Sequence, residues 1–221
     1  MTESLPTIAI IGGTGKEGTG LAFRWAYAGY KIIIGSRQLE KAHKAAEAIN
    51  QQLQIATTIG LENKAAVKLG DICVLTVIPA AHQQIIRSLK NDLEGKILVD
   101  ATSRVDYHDP KPPEPPPAAF ESQNLLGTSV RVVAAFQSIP ARLLTIGINY
   151  PLDADVLVCS DDIDAAEQVI QLARAAGMRG YYAGALTNAI VIEGLTSVLI
   201  SLNKYYKVKD ASIKISGVSN T

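Results

Sequence analysis

The sequence predicts an α/β fold: a doubly wound parallel sheet with helices on both faces and a small helical part at the C-terminus. Three observations predict it. Short aliphatic runs recur along the chain, each followed by a stretch with helical spacing of apolar residues. The runs are aliphatic at consecutive positions rather than alternate ones, as in strands covered on both faces. Five glycines crowd into Gly12–Gly20, directly behind the first aliphatic run, where a strand must turn sharply into a helix.

Each element follows from local composition. TIAII is the first strand, and Lys16–Ala28 the first helix, with Leu21, Trp25 and Ala28 on one face and Gly29 as its stop. YKIII is the second strand. LEKAHKAAEAINQQL is a helix with Leu39, Ala42, Ala46, Ile49 and Leu53 along one stripe, and Leu61–Leu69 reads as a short helix. DICVLTV is a strand that Pro79 forbids from continuing. AAHQQIIRSLKNDL is a helix ended by Gly95, and KILVDA a strand. DPKPPEPPP (Asp109–Pro117) excludes helix and central strand and predicts an extended, exposed loop. Beyond it come a short helix (AAFESQNLL), strands VRVVAAF and DVLVC, the helix IDAAEQVIQLARAAG and the short strand RGYYA. A long helix over Leu186–Tyr206 and the tail KVKDASIKISGV close the chain.

The chain has 221 residues, 48% of them hydrophobic, enough for one sizeable core. Its 21 basic and 21 acidic residues show no basic footprint for nucleic acid. Cys73 and Cys159 lie within aliphatic runs and read as buried thiols in a reducing compartment. MTESLPTIAII lacks the basic start and cleavage site of a signal peptide, so a cytoplasmic location is expected. Leu186–Leu202 carries Asn188 and Glu193 and is short for a membrane span. No membrane association is expected. Its Leu195, Val198, Leu199 and Leu202 stripe serves either a homodimer contact or a cap on the sheet.

The glycines decide between two phosphate-binding loops. An ATPase P-loop needs a glycine where Ile10 stands and a hydroxyl where Glu17 stands, so it is disfavoured. Gly13-x-Gly15-x-x-Gly18, placed at a strand–helix junction, fits a dinucleotide instead: a tight turn at Gly13, close backbone approach at Gly15, helix-on-strand packing at Gly18. The helix N-terminus then offers free N–H groups to the pyrophosphate. At the end of the second strand stands Gly35-Ser36-Arg37, with Ser36 23 residues after Gly13. An acid there would select NAD. A hydroxyl, a guanidinium and Lys41 one turn later favour the 2′-phosphate of NADP. His43, His82 and His108 are scattered, so no metal site is expected. No nucleophile motif appears either, an absence that suits hydride transfer between two cofactors. His82 follows the strand ending TVIP, where a positioning role fits better than proton transfer.

GGTGKEGTGLAFRWAYAGYKIIIGSRQLEKA, DICVLTVIP, VVAAFQSIPARLL, VLVCSDD and AGALTNAIVIEGLTSVLISLN together resemble the NADPH-dependent reductases of the deazaflavin coenzyme F-420. The likeness covers nearly the whole chain apart from the proline loop. It implies a Rossmann domain over residues 1–185, with residues 186–221 completing a cleft for the acceptor. Thr14, Gly15, Lys16 and Glu17 match positions that wrap the pyrophosphate; Ser36, Arg37 and Lys41 match those around the 2′-phosphate. Val77, Ile78 and His82 match the fourth-strand edge and Ser103 the fifth. Ser138, Ile139, Pro140 and Ala141 match the loop beside the nicotinamide, and Ala211 a tail position touching the deazaflavin. Archaeal members resemble ALHTIP where this chain has AFQSIP, so Gln137 stands where they have a histidine near the deazaflavin. The implied reaction passes hydride between NADP(H) and a small redox co-substrate, with no side chain needed as acid or base. Reduction of a flavin or a small imine, or non-catalytic sensing of NADP(H), are the alternatives.

Overall fold

The computed structural model describes residues 5–218. Eight strands form one sheet in the order β3-β2-β1-β4-β5-β6-β7-β8. They are β1 (Ile8–Ile11), β2 (Ile32–Ser36), β3 (Thr58–Glu62), β4 (Ile72–Leu75), β5 (Ile97–Asp100), β6 (Arg131–Ala134), β7 (Asp155–Ser160) and β8 (Arg179–Tyr182). The helices are α1 (Lys16–Tyr27), α2 (Leu39–Leu53), α3 (Asn63–Leu69), α4 (His82–Leu89), α5 (Ala118–Leu126), α6 (Ile163–Ala175) and α7 (Ala189–Tyr206). Order reverses between β1 and β4, so the carboxyl ends of these two strands open a crevice beside the N-terminus of α1.

The strands are buried on both faces, and alternate residues feed two cores. Ile8 and Ile10 face α1, α2 and α6, with Trp25 fully buried among them. Ala9 and Ile11 face α3, α4, α5 and α7. This double burial is why the strands read as continuous aliphatic runs.

Three expectations are corrected. The helix expected over Leu61–Leu69 begins at Asn63, and the residues before it are an edge strand, β3. α2 packs so closely on β3 that a Cβ at Gly60 would lie 2.3 Å from the Ala42 carbonyl carbon, and only glycine fits. The sheet is not wholly parallel, because β7 runs antiparallel to β6. The apolar stripe on α7 is divided: Leu199 is buried, while Val198 and Leu202 are exposed. With the turn before it, α7 is long and apolar enough to cross a membrane by length and composition alone, 33% of its most apolar window being buried. It packs against α5 and β7.

Two buried charges fasten the irregular segments. Arg24 of α1 is 2% exposed and donates to the carbonyl oxygens of Leu144, Ile146 and Tyr150, between β6 and β7, and of Ala176 at the end of α6, pinning both segments. Glu193 of α7 accepts from the Arg104 backbone N–H and Nε and from the Ala118 N–H. The same Arg104 donates to the carbonyls of Glu114 and Pro116, so the proline loop is tethered to α7 although mostly exposed.

Candidate functional site

The turn after β1 is built from its glycines. Gly12 takes the left-handed conformation, φ +73°, and its N–H donates to Asn63 Oδ1. The tight turn expected at Gly13 is thus made by its neighbour. Gly13 is needed for a different reason, since a Cβ there would stand 2.8 Å from the Ile10 carbonyl oxygen. A Cβ on Gly18 would come within 2.7 Å of Gly13 Cα, so the third glycine lets α1 lie on the turn. Gly15 differs: its Cβ would meet only one atom, at 3.8 Å, and would project into open space. Gly15 is also the N-cap of α1, and no side chain caps the helix. The first-turn N–H groups therefore remain free for an anion.

Beside this helix end lies a cavity of about 220 Å³. Of the residues singled out from the sequence, Thr14, Gly15, Ser36, Arg37, Lys41, Val77 and Ile78 line it. The Ser36 hydroxyl oxygen accepts from the Gln38 N–H and shapes the turn at the tip of β2. Arg37 and Lys41 are exposed, and neither has a carboxylate partner among the described residues. Two unpaired cations and a hydroxyl at one strand tip suit a dianionic phosphate.

A second cavity, of about 490 Å³, opens on the other side of the same helix end, where Lys16 follows Gly15. Its walls are the loop Gln137–Arg142, the α7 residues Thr196, Leu199, Ile200 and Asn203, and the tail residues Lys209 and Ala211. Phe136 leads into the loop at φ +75°, an uncommon conformation for a residue with a Cβ that costs about 1–3 kcal/mol. Its ring is buried edge-on against Trp25, centroids 5.7 Å apart. Thr196 Oγ1 donates to the Gln137 carbonyl, and the Ala211 N–H donates to Asn203 Oδ1, so α7 holds both loop and tail. Arg142 and Asp210 pair across the mouth. Gln137, Ser138, Ile139, Pro140, Ala141 and Ala211, each singled out from the sequence, meet here.

Five sequence-derived residues line neither cavity: Gly13 and Gly18, which pack the turn, and His82, Ser103 and Glu17. His82 is 2% exposed; its Nε2 lies 2.7 Å from Asp100 Oδ2, and the Ser122 hydroxyl donates to the same oxygen at 2.6 Å. Burial works against the charged form of His82, but the bond to Asp100 and its charge outweigh it and raise the pKa. Burial likewise opposes the Asp100 carboxylate, which bonds from His82, Ser122 and the Thr102 N–H hold below its usual range. This group joins β5 to α4 and α5. Ser103 has a buried hydroxyl without a partner among the described residues. Glu17 turns inward, and burial, then the charge of Asp100, push its pKa up to about 8. The positive end of α1 favours a carboxylate there by about 0.3–1 kcal/mol, too little to offset this.

Sequence reasoning missed Gly12, Asn63 and Thr76 on one side, and Tyr107, Thr196, Asn203 and Lys209 on the other. Gly12 was visible as the glycine preceding the motif. The others reach the cavities only through the fold.

Residues 7–104 match the family model described as NADP oxidoreductase coenzyme F420-dependent. The F420-dependent NADP reductase of Methanocaldococcus jannaschii is 41% identical over 96% of this chain and 98% of its own length. The reductase of the same name from Methanothermobacter thermautotrophicus is 38% identical over 96% and 95%. In fold, the chain is similar to the crystal structure of a putative F420 dependent NADP-reductase from Arthrobacter sp. FB24, with a TM-score of 0.79, 24% identity, and coverage of 96% of this chain and 100% of that one.

Proposed function

Because this chain belongs to the coenzyme F420-dependent NADP oxidoreductase family, we propose that it passes hydride between NADP(H) and the deazaflavin coenzyme F-420. One observation supports the reading above all: two cavities adjoin a single uncapped helix end, with Gly15 lining one and Lys16 the other. The first suits the phosphates of the dinucleotide. Thr14, Gly15 and the first-turn N–H groups would receive the pyrophosphate in the space a Cβ on Gly15 would fill. Ser36, Arg37 and Lys41 would hold the 2′-phosphate, while Val77 and Ile78 pack beside the cofactor.

Hydride transfer asks the protein chiefly for alignment of donor and acceptor carbons and exclusion of water. The loop Ser138–Ala141 would set the nicotinamide face, and residues 186–218, with Ala211 among them, would complete the acceptor side. The nicotinamide supplies and recovers the hydride, and the deazaflavin ring takes it at carbon. His82 contributes at one remove, by fixing the end of β5 through Asp100.

Titration calorimetry with NADPH and NADH tests the coenzyme preference. Arg37→Glu is expected to abolish the preference for NADPH, with a loss of tenfold or more in NADPH affinity. An unchanged ratio would remove Arg37 from the site. Bleaching of the deazaflavin absorbance by NADPH tests the acceptor, and turnover with flavin but not deazaflavin would shift the assignment to a flavin reductase.

A further inference from the structure

α7 presents Thr196, Leu199, Ile200 and Asn203 to the second cavity, one face of the helix at spacings of three and four residues. Leu199 and Ile200 are apolar, and Thr196 Oγ1 is spent on the Gln137 carbonyl. Asn203 is therefore the free polar group of that face. Its amide cannot turn over, because the Ala211 N–H donates to Oδ1 at 3.0 Å and a backbone N–H can meet only the oxygen. The Val208 N–H donates to the Asn203 carbonyl at 3.1 Å, so the turn from α7 into the tail is built on this one residue. What remains is the Nδ2 amino group, a half-buried donor at the cavity with its orientation set and no partner among the described residues.

The loop wall adds a second donor. The Ile139 N–H donates to the Phe136 carbonyl and closes a turn with Gln137 and Ser138 at its centre. Ser138 is 4% exposed, and neither its hydroxyl nor its backbone N–H has a partner among the described residues. The amide oxygen of Gln137 is buried. Lys16 and Lys209 line the same cavity without carboxylate partners among the described residues, and no aspartate or glutamate lines it. The rest of the loop and helix surface is apolar: Ile139, Pro140, Ala141, Leu199 and Ile200. Such a cavity offers hydrogen bonds to the oxygens of a ligand and repels a cation. A flat ring bearing carbonyl groups fits it. A small iminium, positively charged and itself a donor, does not.

We propose that Asn203 is a specificity-determining residue for the hydride acceptor: its Nδ2 donates to a carbonyl oxygen of the bound ring, so the site takes a ring dione and rejects an imine. The donor is in place before the ligand arrives, since the Ala211 contact already holds the amide, and little freedom is lost on binding. Ser138 supplies a second donor from the loop, and the apolar side chains cover the faces of the ring. Lys16 and Lys209 stay available for negative charge carried outside the ring. The inference rests on the hydride-transfer reading and narrows it to acceptors whose rings carry carbonyl groups.

Asn203→Asp keeps an oxygen for the Ala211 N–H, so the tail stays tied, but it replaces the donor with an acceptor. Binding is followed by ligand fluorescence, with NADP+ present to fill the first cavity. The probes are coenzyme F-420 and deazariboflavin, which has the ring without phosphate or carboxylate. Both are expected to bind at least about tenfold more weakly to the variant. Its affinity for NADP+ is expected to be unchanged, which also shows that it is folded. A loss for the anionic coenzyme alone would mean charge repulsion and overturn the ring contact. No loss for either probe would overturn it equally. In infrared difference spectra, a carbonyl stretch of bound deazariboflavin is expected at lower frequency in the wild type than in Asn203→Asp, and equal frequencies would count against the contact. Failure of the wild type to bind either probe would strike the deazaflavin reading itself.

Discussion

At the scale of single residues, the site depends on what each side chain is denied. Gly15 lacks a Cβ where a phosphate would sit. Arg37 and Lys41 lack carboxylate partners among the described residues, and burial, then the charge of Asp100, keeps Glu17 from ionising in the ordinary range. His82 is the opposite case, its ring buried and its Nε2 held by Asp100. Replacing it with alanine leaves the Asp100 carboxylate buried with only the Ser122 and Thr102 bonds. Removing one member of a buried pair costs about 3–5 kcal/mol, so His82→Ala is expected to lower the unfolding free energy by that much in denaturant titration. A loss under 1 kcal/mol would mean that the pair is not holding β5 to α4 and α5.

At the scale of elements, the proline loop is defined by its attachments more than by its prolines. Glu193 is 1% exposed and Arg104 is 24% exposed, so breaking this pair is expected to cost about 2–3 kcal/mol, less than a fully enclosed one. Glu193→Gln should loosen residues 109–117, which Arg104 holds through Glu114 and Pro116, while Lys204 still ties His108 to α7. Tyr107, just before that segment, lines the second cavity and receives the Lys204 ammonium over its ring at 5.0 Å. The expected readouts are faster proteolysis within the loop and a raised KM for the acceptor, with NADPH affinity unchanged. An intact loop under protease would separate the loop's order from Glu193. Legibility in the sequence divides along the same line. α2 and α5 run over the spans their periodicity predicts, and Gly15, Ser36 and Arg37 were readable because a strand–helix turn and a strand tip are local features. β3 was not readable: Thr58–Glu62 has two exposed positions and a glycine demanded by α2, and the apolar spacing that follows draws the helix forward. The antiparallel direction of β7 leaves no mark on its residues, because an aliphatic run packs equally well either way. Asn63, Thr196 and Tyr107 reach the cavities only once distant segments are folded together.

At the scale of the whole molecule, two buried acid systems pull stability in different directions with pH. Asp100, held low, contributes fully above the normal carboxylate range, and that contribution is lost as pH falls through its lowered value. His82, held high, contributes fully below about 6.5, and its share is lost as pH rises through the raised value. Glu17 is the reverse of the usual acid. The folded protein keeps a proton that the unfolded chain gives up above about 4.5, so stability falls from there until the folded value near 8 is passed, and then levels off. Glu17→Gln removes this loss. Its melting temperature is expected to equal that of the wild type at pH 4 and exceed it at pH 8.5. Equal values at both pH settings would show that the folded protein does not retain that proton.

Trp25 is the only tryptophan in the chain. Its indole is fully buried, donates to the Leu172 carbonyl, and touches the ring of Phe136, the residue that sets the strained entry to the acceptor loop. The protein therefore carries a built-in optical gauge: one emitter, with no second indole to dilute it, resting on the hinge of the segment that faces the incoming ring. A change in emission wavelength or lifetime when either ligand is added would report strain passing through Phe136, with no label attached.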